Sequence, residues 1–175
     1  YLHFRAFIDS FSDSYDGNWG STKYMGRAES FFKYEGFNRA ISLAFTVAAQ
    51  SKPELLEQYK KLNYLASTLA PTYSSVGYMG GTLVTLTVGG WCYELPGFIK
   101  GMSFDVDDES PWEIGINDKG EPDKDISQLP HIIKVSGFSF QPIQTFRPEK
   151  QEDMGKGPQQ YIALTNKSGK SLYNK

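Results

Sequence analysis

The side chains able to do chemistry are few and scattered along the 175 residues. His3 and His131 lie far apart, and neither adjoins a nucleophile in a recognisable local signature, so both are read as structural. Asp105, Asp107 and Glu109 occupy the first, third and fifth places of a calcium-binding loop. The sixth place, which needs glycine for a sharp turn, is Ser110, and the twelfth, which needs a bidentate carboxylate, is Ile116, so that site is rejected. Gly169-Lys170-Ser171 imitates the end of a phosphate loop, but the required earlier glycine falls on Leu164 and no strand-to-helix context surrounds it. Asn166-Lys167-Ser168 fits the glycosylation acceptor pattern, a common one with no secretory signal beside it. One cysteine and two scattered histidines do not make a zinc site. The expectation is a protein with no catalytic residues, no metal and no cofactor.

The elements that would position such groups look like a scaffold. The length suits one domain with a real core. With 12 Phe, 11 Tyr and 3 Trp, frequent glycine and alternating β-branched residues, the composition favours a mainly β fold. Cys92 is the only cysteine, which excludes an intrachain disulfide framework and fits a reducing compartment. No apolar stretch approaches the ~18 residues of a membrane span, so no membrane insertion is expected. The net charge of −2 gives no basic balance for nucleic acid, yet Asp105 to Asp125 holds nine acidic residues against Lys119 and Lys124, leaving the remainder about +5. Specific nucleic-acid binding is not expected.

Along the chain, Tyr1 to Asp9 reads as a strand, and Ser10 to Gly20 as a loop whose tip is Asp16-Gly17-Asn18-Trp19-Gly20. From Phe37 to Gln50, Ile41, Leu43, Phe45 and Val47 alternate with small residues, a strand with one greasy face. Ser51-Lys52-Pro53-Glu54 matches a capping box opening a helix. Its stripe is Leu55, Tyr59, Leu62, Ala66 and Leu69, widened by Leu56 and Leu65, with Pro71 as a stop. Pro71 to Gly81 reads as a loop, Thr82 to Val88 as a strand, Gly89-Gly90 as a two-residue hairpin turn, and Pro96-Gly97 as a turn between strands Trp91 to Leu95 and Phe98 to Val106. Trp112 to Ile116 reads as a short strand, Asn117 to Gln128 as a loop, and His131 to Phe140 as the last strand, ended by Pro142. Residues 1–146 then form one domain and 147–175 an extended or disordered arm, with Tyr161 to Leu164 a patch able to pair.

Several motifs in this order resemble the baseplate-to-tube junction proteins, or tail-tube initiators, of T-even-like contractile-tailed phages. They include Tyr24-Met25-Gly26-Arg27, Tyr34-Glu35-Gly36-Phe37-Asn38-Arg39, Ala48-Ala49-Gln50-Ser51-Lys52-Pro53-Glu54 and Tyr59-Lys60-Lys61-Leu62-Asn63-Tyr64. The run continues through Gly77-Tyr78-Met79-Gly80-Gly81, Leu95-Pro96-Gly97, Pro111-Trp112-Glu113-Ile114, Leu129-Pro130-His131 and Phe140-Gln141-Pro142-Ile143, so it spans about Tyr24 to Pro148. The resemblance implies a tail-tube-like antiparallel β-barrel or sandwich flanked by one α-helix, in a homo-hexameric ring around a lumen. It implies a baseplate hub protein and a tail tube protein as partners, with tape measure protein and sheath as further neighbours, in a virion tail assembled in the host cytoplasm.

The interface expected on this reading comprises the loop tip Asp16, Gly17, Asn18 and Trp19, the strand positions Thr82, Val84, Thr85 and Thr87, and Trp91. The competing reading is a monomeric β-sandwich module that binds glycan or protein through Trp19, Trp91 and exposed tyrosines.

Overall fold

A computed structural model of the protein describes residues 1–112, 119–121, 128–151 and 161–164. Its elements are β1 (Ala6–Lys23), β2 (Ser30–Ala48), α1 (Lys52–Ser67), β3 (Thr72–Tyr73), β4 (Met79–Gly80), β5 (Val84–Val88), β6 (Cys92–Asp105) and β7 (Ile132–Pro142). The fold is mainly β and antiparallel, with one helix among the described residues. Five strands form a sheet in the order β1-β2-β7-β6-β5, β3 and β4 form a two-stranded ribbon, and no barrel closes among the described residues. The chain divides into two compact units, Tyr1–Ser12 with Ser42–Thr82 and Ile99–Ser139, and Asp13–Ile41 with Leu83–Phe98 and Phe140–Lys175.

The first unit has an apolar core. Phe45, Val47 and Ala49 from the odd-numbered row of β2 and its extension, Leu55, Leu62 and Leu65 from α1, and Ile133, Val135 and Phe138 from β7 are all buried. Phe45 meets Phe4 and Phe138 at ring separations of 5.7 and 6.5 Å. The helix starts where the capping signal puts it, but neither half of the box forms, since Glu54 reaches one residue past the N-cap N–H. Ser51 has extended backbone at the N-cap without a side-chain bond, while the Glu54 carboxylate accepts the Gln50 N–H at 3.0 Å. The buried stripe also differs from the expected one. Leu56 and Leu69 are exposed and Gln58 is buried, because the burying face runs through positions 55, 58, 62 and 65. Tyr59 donates its hydroxyl to the Pro130 carbonyl at 3.0 Å.

The segment expected as a loop from Pro71 to Gly81 folds into the β3–β4 hairpin, with Thr72 opposite Gly80 and Tyr73 opposite Met79. Gly77, at φ +85°, makes its turn possible. Ser110, at the place where a calcium loop needs glycine, is buried and both donates to and accepts from the Ile132 backbone (2.9 and 3.1 Å). Of the expected strand Trp112 to Ile116, only Trp112 is described, in a single bridge to Pro130; the rest, and most of the loop to Gln128, lie outside the described residues.

The second unit corrects three expectations. Ser10 to Gly20 is strand, not loop: β1 runs to Lys23 and, among the described residues, pairs only with β2. Its Ser, Asp and Asn side chains are mostly exposed there, and an edge strand accepts such polar residues readily. The reversal comes instead at Tyr24-Met25-Gly26-Arg27, where the Arg27 N–H donates to the Tyr24 carbonyl (3.3 Å) and Gly26 has φ +84°. The turn joining β5 to β6 has three residues, Gly89 to Trp91, between the paired Val88 and Cys92.

Pro96-Gly97 is not a turn either. β6 passes straight through it, with Pro96 opposite Thr85 and Gly97 opposite Val84. Proline is tolerated because its acceptor is what the sheet uses: the Pro96 carbonyl takes the Ile143 N–H at 2.8 Å. Glycine is required because a Cβ at position 97 would run into the Gln141 carbonyl and the Phe140 ring. The hairpin is irregular between Leu86 and Val88, where Glu94 has φ +46° and its N–H is met by the Thr87 hydroxyl at 3.0 Å.

Candidate functional site

The polar centre of the second unit is built on a charge in an apolar row. Odd-numbered residues of β2 face inward there, and between Phe37 and Ile41 that phase places Arg39, whose side chain is 1% exposed. A guanidinium so buried must be paired. Asp13 of β1, 2% exposed, supplies the partner in a two-pronged geometry, Nε to Oδ1 at 2.9 Å and Nη2 to Oδ2 at 2.7 Å. Asp13 Oδ2 also accepts the Trp91 indole N–H at 2.9 Å and the Tyr15 hydroxyl at 2.7 Å. The guanidinium carbon lies 5.1 Å from the Tyr15 ring centroid.

This geometry sets the titration of the group. Burial works against the Asp13 carboxylate, but the hydrogen bonds from Arg39, Trp91 and Tyr15 together outweigh it and hold the carboxyl below its ordinary value. Burial, then the bond to Asp13, pushes the Tyr15 phenol up. Burial raises the Cys92 thiol despite the nearby Arg39, which donates weakly to its Sγ at 3.9 Å, so this cysteine is a poor nucleophile. A carboxylate with four donors on it is also no free base. The arrangement holds structure in place, and among the described residues no group of three or more His, Cys, Asp or Glu could hold a metal ion.

Arg39 has one more acceptor. Its Nη2 donates to the Tyr161 carbonyl at 2.8 Å, and two residues on, the Ala163 N–H donates to the Trp91 carbonyl at 2.9 Å. The patch Tyr161 to Leu164 therefore pairs within its own unit. A cleft of about 100 Å³ remains, lined by Arg39, Trp91, Cys92, Leu95, Tyr161 and Ala163 among others.

The expected interface residues fall into three groups. Asp16, Gly17, Asn18 and Trp19 lie exposed along β1, with Trp19 63% exposed and edge-on to Tyr34 at 5.1 Å. Val84, Thr85 and Thr87 lie on β5, which pairs only with β6 among the described residues, and Thr82 precedes it. Thr85 and Thr87 are exposed, while Val84 is half-buried on the opposite face. Trp91 belongs to neither group, since its indole is bonded to Asp13.

Asp13, Tyr15 and Arg39 were not among the expected site residues, and Tyr161 was expected only as part of a patch able to pair. Arg39 had a signal, a charge in phase with Phe37, Ile41, Leu43 and Phe45. Its partners had none, because Asp13 sits in a polar run that reads as a turn. No protein-family model matches the sequence, and no curated protein is significantly similar to it.

Proposed function

We propose that this chain is a structural subunit of a contractile phage tail, forming a six-copy ring that joins the baseplate hub to the tail tube and starts tube assembly. The observation that carries the reading is the edge of β5. Among the described residues this strand has a partner on one side only, and its exposed Thr85 and Thr87 alternate with half-buried Val84 and Leu86. An unpaired edge invites another strand, and closure into a ring gives it a defined one. The ordered motifs from Tyr24 onward support the same reading. Two of them are turns that shape hairpins, at Gly26 and Gly77. Exposed Trp19, Tyr24, Phe32 and Tyr34 on β1, β2 and their connection add an aromatic surface suited to contact. The mechanism is geometric: one ring face fits the hub, and the other presents edges and side chains to the tube subunit.

Electron microscopy of the chain assembled with the baseplate hub tests this. Six-fold rings are expected with the wild type and not with Thr85→Pro, whose ring clashes with regular pairing at the edge. Trp19→Ala is expected to leave rings intact and weaken their stacking. A monomer in the intact complex, or a copy number incompatible with six-fold symmetry, overturns the reading. The exposed Trp19–Tyr34 pair would then favour a glycan- or protein-binding module.

A further inference from the structure

In the second unit a piece of chain remote in sequence is seated in a cleft beside Arg39 and Trp91, in the manner of a bound peptide, and forms one wall of the space that remains there. The Tyr161 ring stands 6.0 Å from the rings of Tyr15 and Phe37 and 6.1 Å from that of Phe146. Its carbonyl accepts from Arg39, and the Ala163 N–H donates to the Trp91 carbonyl. Main-chain bonds from alternate residues with a pocket for a side chain are how an extended segment is recognised at a sheet edge. The receptor groups are fixed independently of the segment, since Asp13 grips both the Arg39 guanidinium and the Trp91 indole. Removing the segment would take from a buried guanidinium one of its acceptors and uncover an aromatic seat, so the cleft is costly to leave empty.

Nothing in these receptor contacts requires the segment to come from the same chain. Nine residues separate Gln151 from Tyr161, including Gly155, Gly157 and Pro158, and that length spans about 30 Å when extended. We propose that the cleft is a receptor for the Tyr161–Leu164 segment of a second copy. The segment occupies its own cleft in the isolated chain and is exchanged between copies as they associate. The ring reading supplies the setting for this exchange, but the test does not depend on it.

Ala163 and Cys92 line the same cleft, so Ala163→Cys in the full chain sets a second thiol beside the native one. Equal amounts of unlabelled and ¹⁵N-labelled variant are mixed at rising concentration, oxidised, and analysed by mass spectrometry of the 92–163 disulfide, with particle size measured on the same samples. The expected result is an intrachain bond in dilute protein and a rising share of mixed-isotope interchain bonds as concentration increases. Intrachain bonds alone at every concentration overturn the exchange. Interchain bonds without six-fold particles keep the exchange and count against the ring, whereas six-fold particles with intrachain bonds only do the reverse.

Discussion

The first unit buries Phe45, Val47, Leu55, Leu62, Ile133, Val135 and Phe138, whereas the second, besides the apolar Ile41 and Phe140, buries Arg39 and Asp13 beside Tyr15, Trp91 and Cys92. The two solutions differ in what they specify. Apolar burial is non-directional and scales with area, so the first core tolerates any side chain of suitable shape. The second centre is directional, each donor having one acceptor geometry, so it fixes where β1, the β5–β6 turn and the Tyr161 segment meet. It gains arrangement rather than bulk stability, because desolvating two charges offsets much of their attraction.

The largest effect should come from breaking the polar centre without changing its shape. Asp13→Asn keeps the volume but leaves the Arg39 guanidinium buried without a countercharge, and is expected to cost about 3–5 kcal/mol in urea unfolding. A loss under about 1 kcal/mol would mean that the pair is solvated and the contrast between the units false.

Leu62→Ala should follow, at about 2–5 kcal/mol, because Leu62 is 2% exposed in the apolar core. Leu62→Met, which conserves volume, should cost less than about 1.5 kcal/mol. That asymmetry sharpens the comparison, since an isosteric change is mild in one core and severe in the other. Equal costs for Leu62→Met and Asp13→Asn would erase it.

A smaller effect separates the units by pH. The Asp13 carboxyl is held below its ordinary 3.8 in the folded protein, so its contribution is complete above that value and is lost as pH falls through the lowered one. The Tyr15 phenol is raised above its ordinary 10.0, so stability is lost again as pH rises past that point. Unfolding midpoints measured from about pH 6 down to about pH 2 should fall more steeply for the wild type than for Asp13→Asn. Parallel curves would place the acid sensitivity elsewhere.

How much of this was legible depends on the range of the forces involved. The helix Lys52–Ser67 and the greasy row of β2 follow from periodicities of three to four residues and of two, which depend on neighbours in sequence. The mainly β class and the final strand follow on the same grounds. Ser10 to Gly20 misled because its polar residues have turn chemistry, and only an edge position in a sheet turns that composition into strand. Pro96-Gly97 misled in the same way, since the need for glycine there comes from Phe140 and Gln141, more than forty residues along the chain.

By itself, then, the sequence determined the helix, the alternation of the strands and the single thiol, all of which depend on residue type and short spacing. Tertiary structure decided the polar centre. Asp13 meets Arg39 across 26 residues and Arg39 meets Tyr161 across 122, separations at which no local pattern is imposed. A charge on an apolar row announces that a partner must exist, because an unpaired buried guanidinium is too costly to keep. Which carboxylate answers it depends on which strand pairs with β2, and that is set by the sheet as a whole.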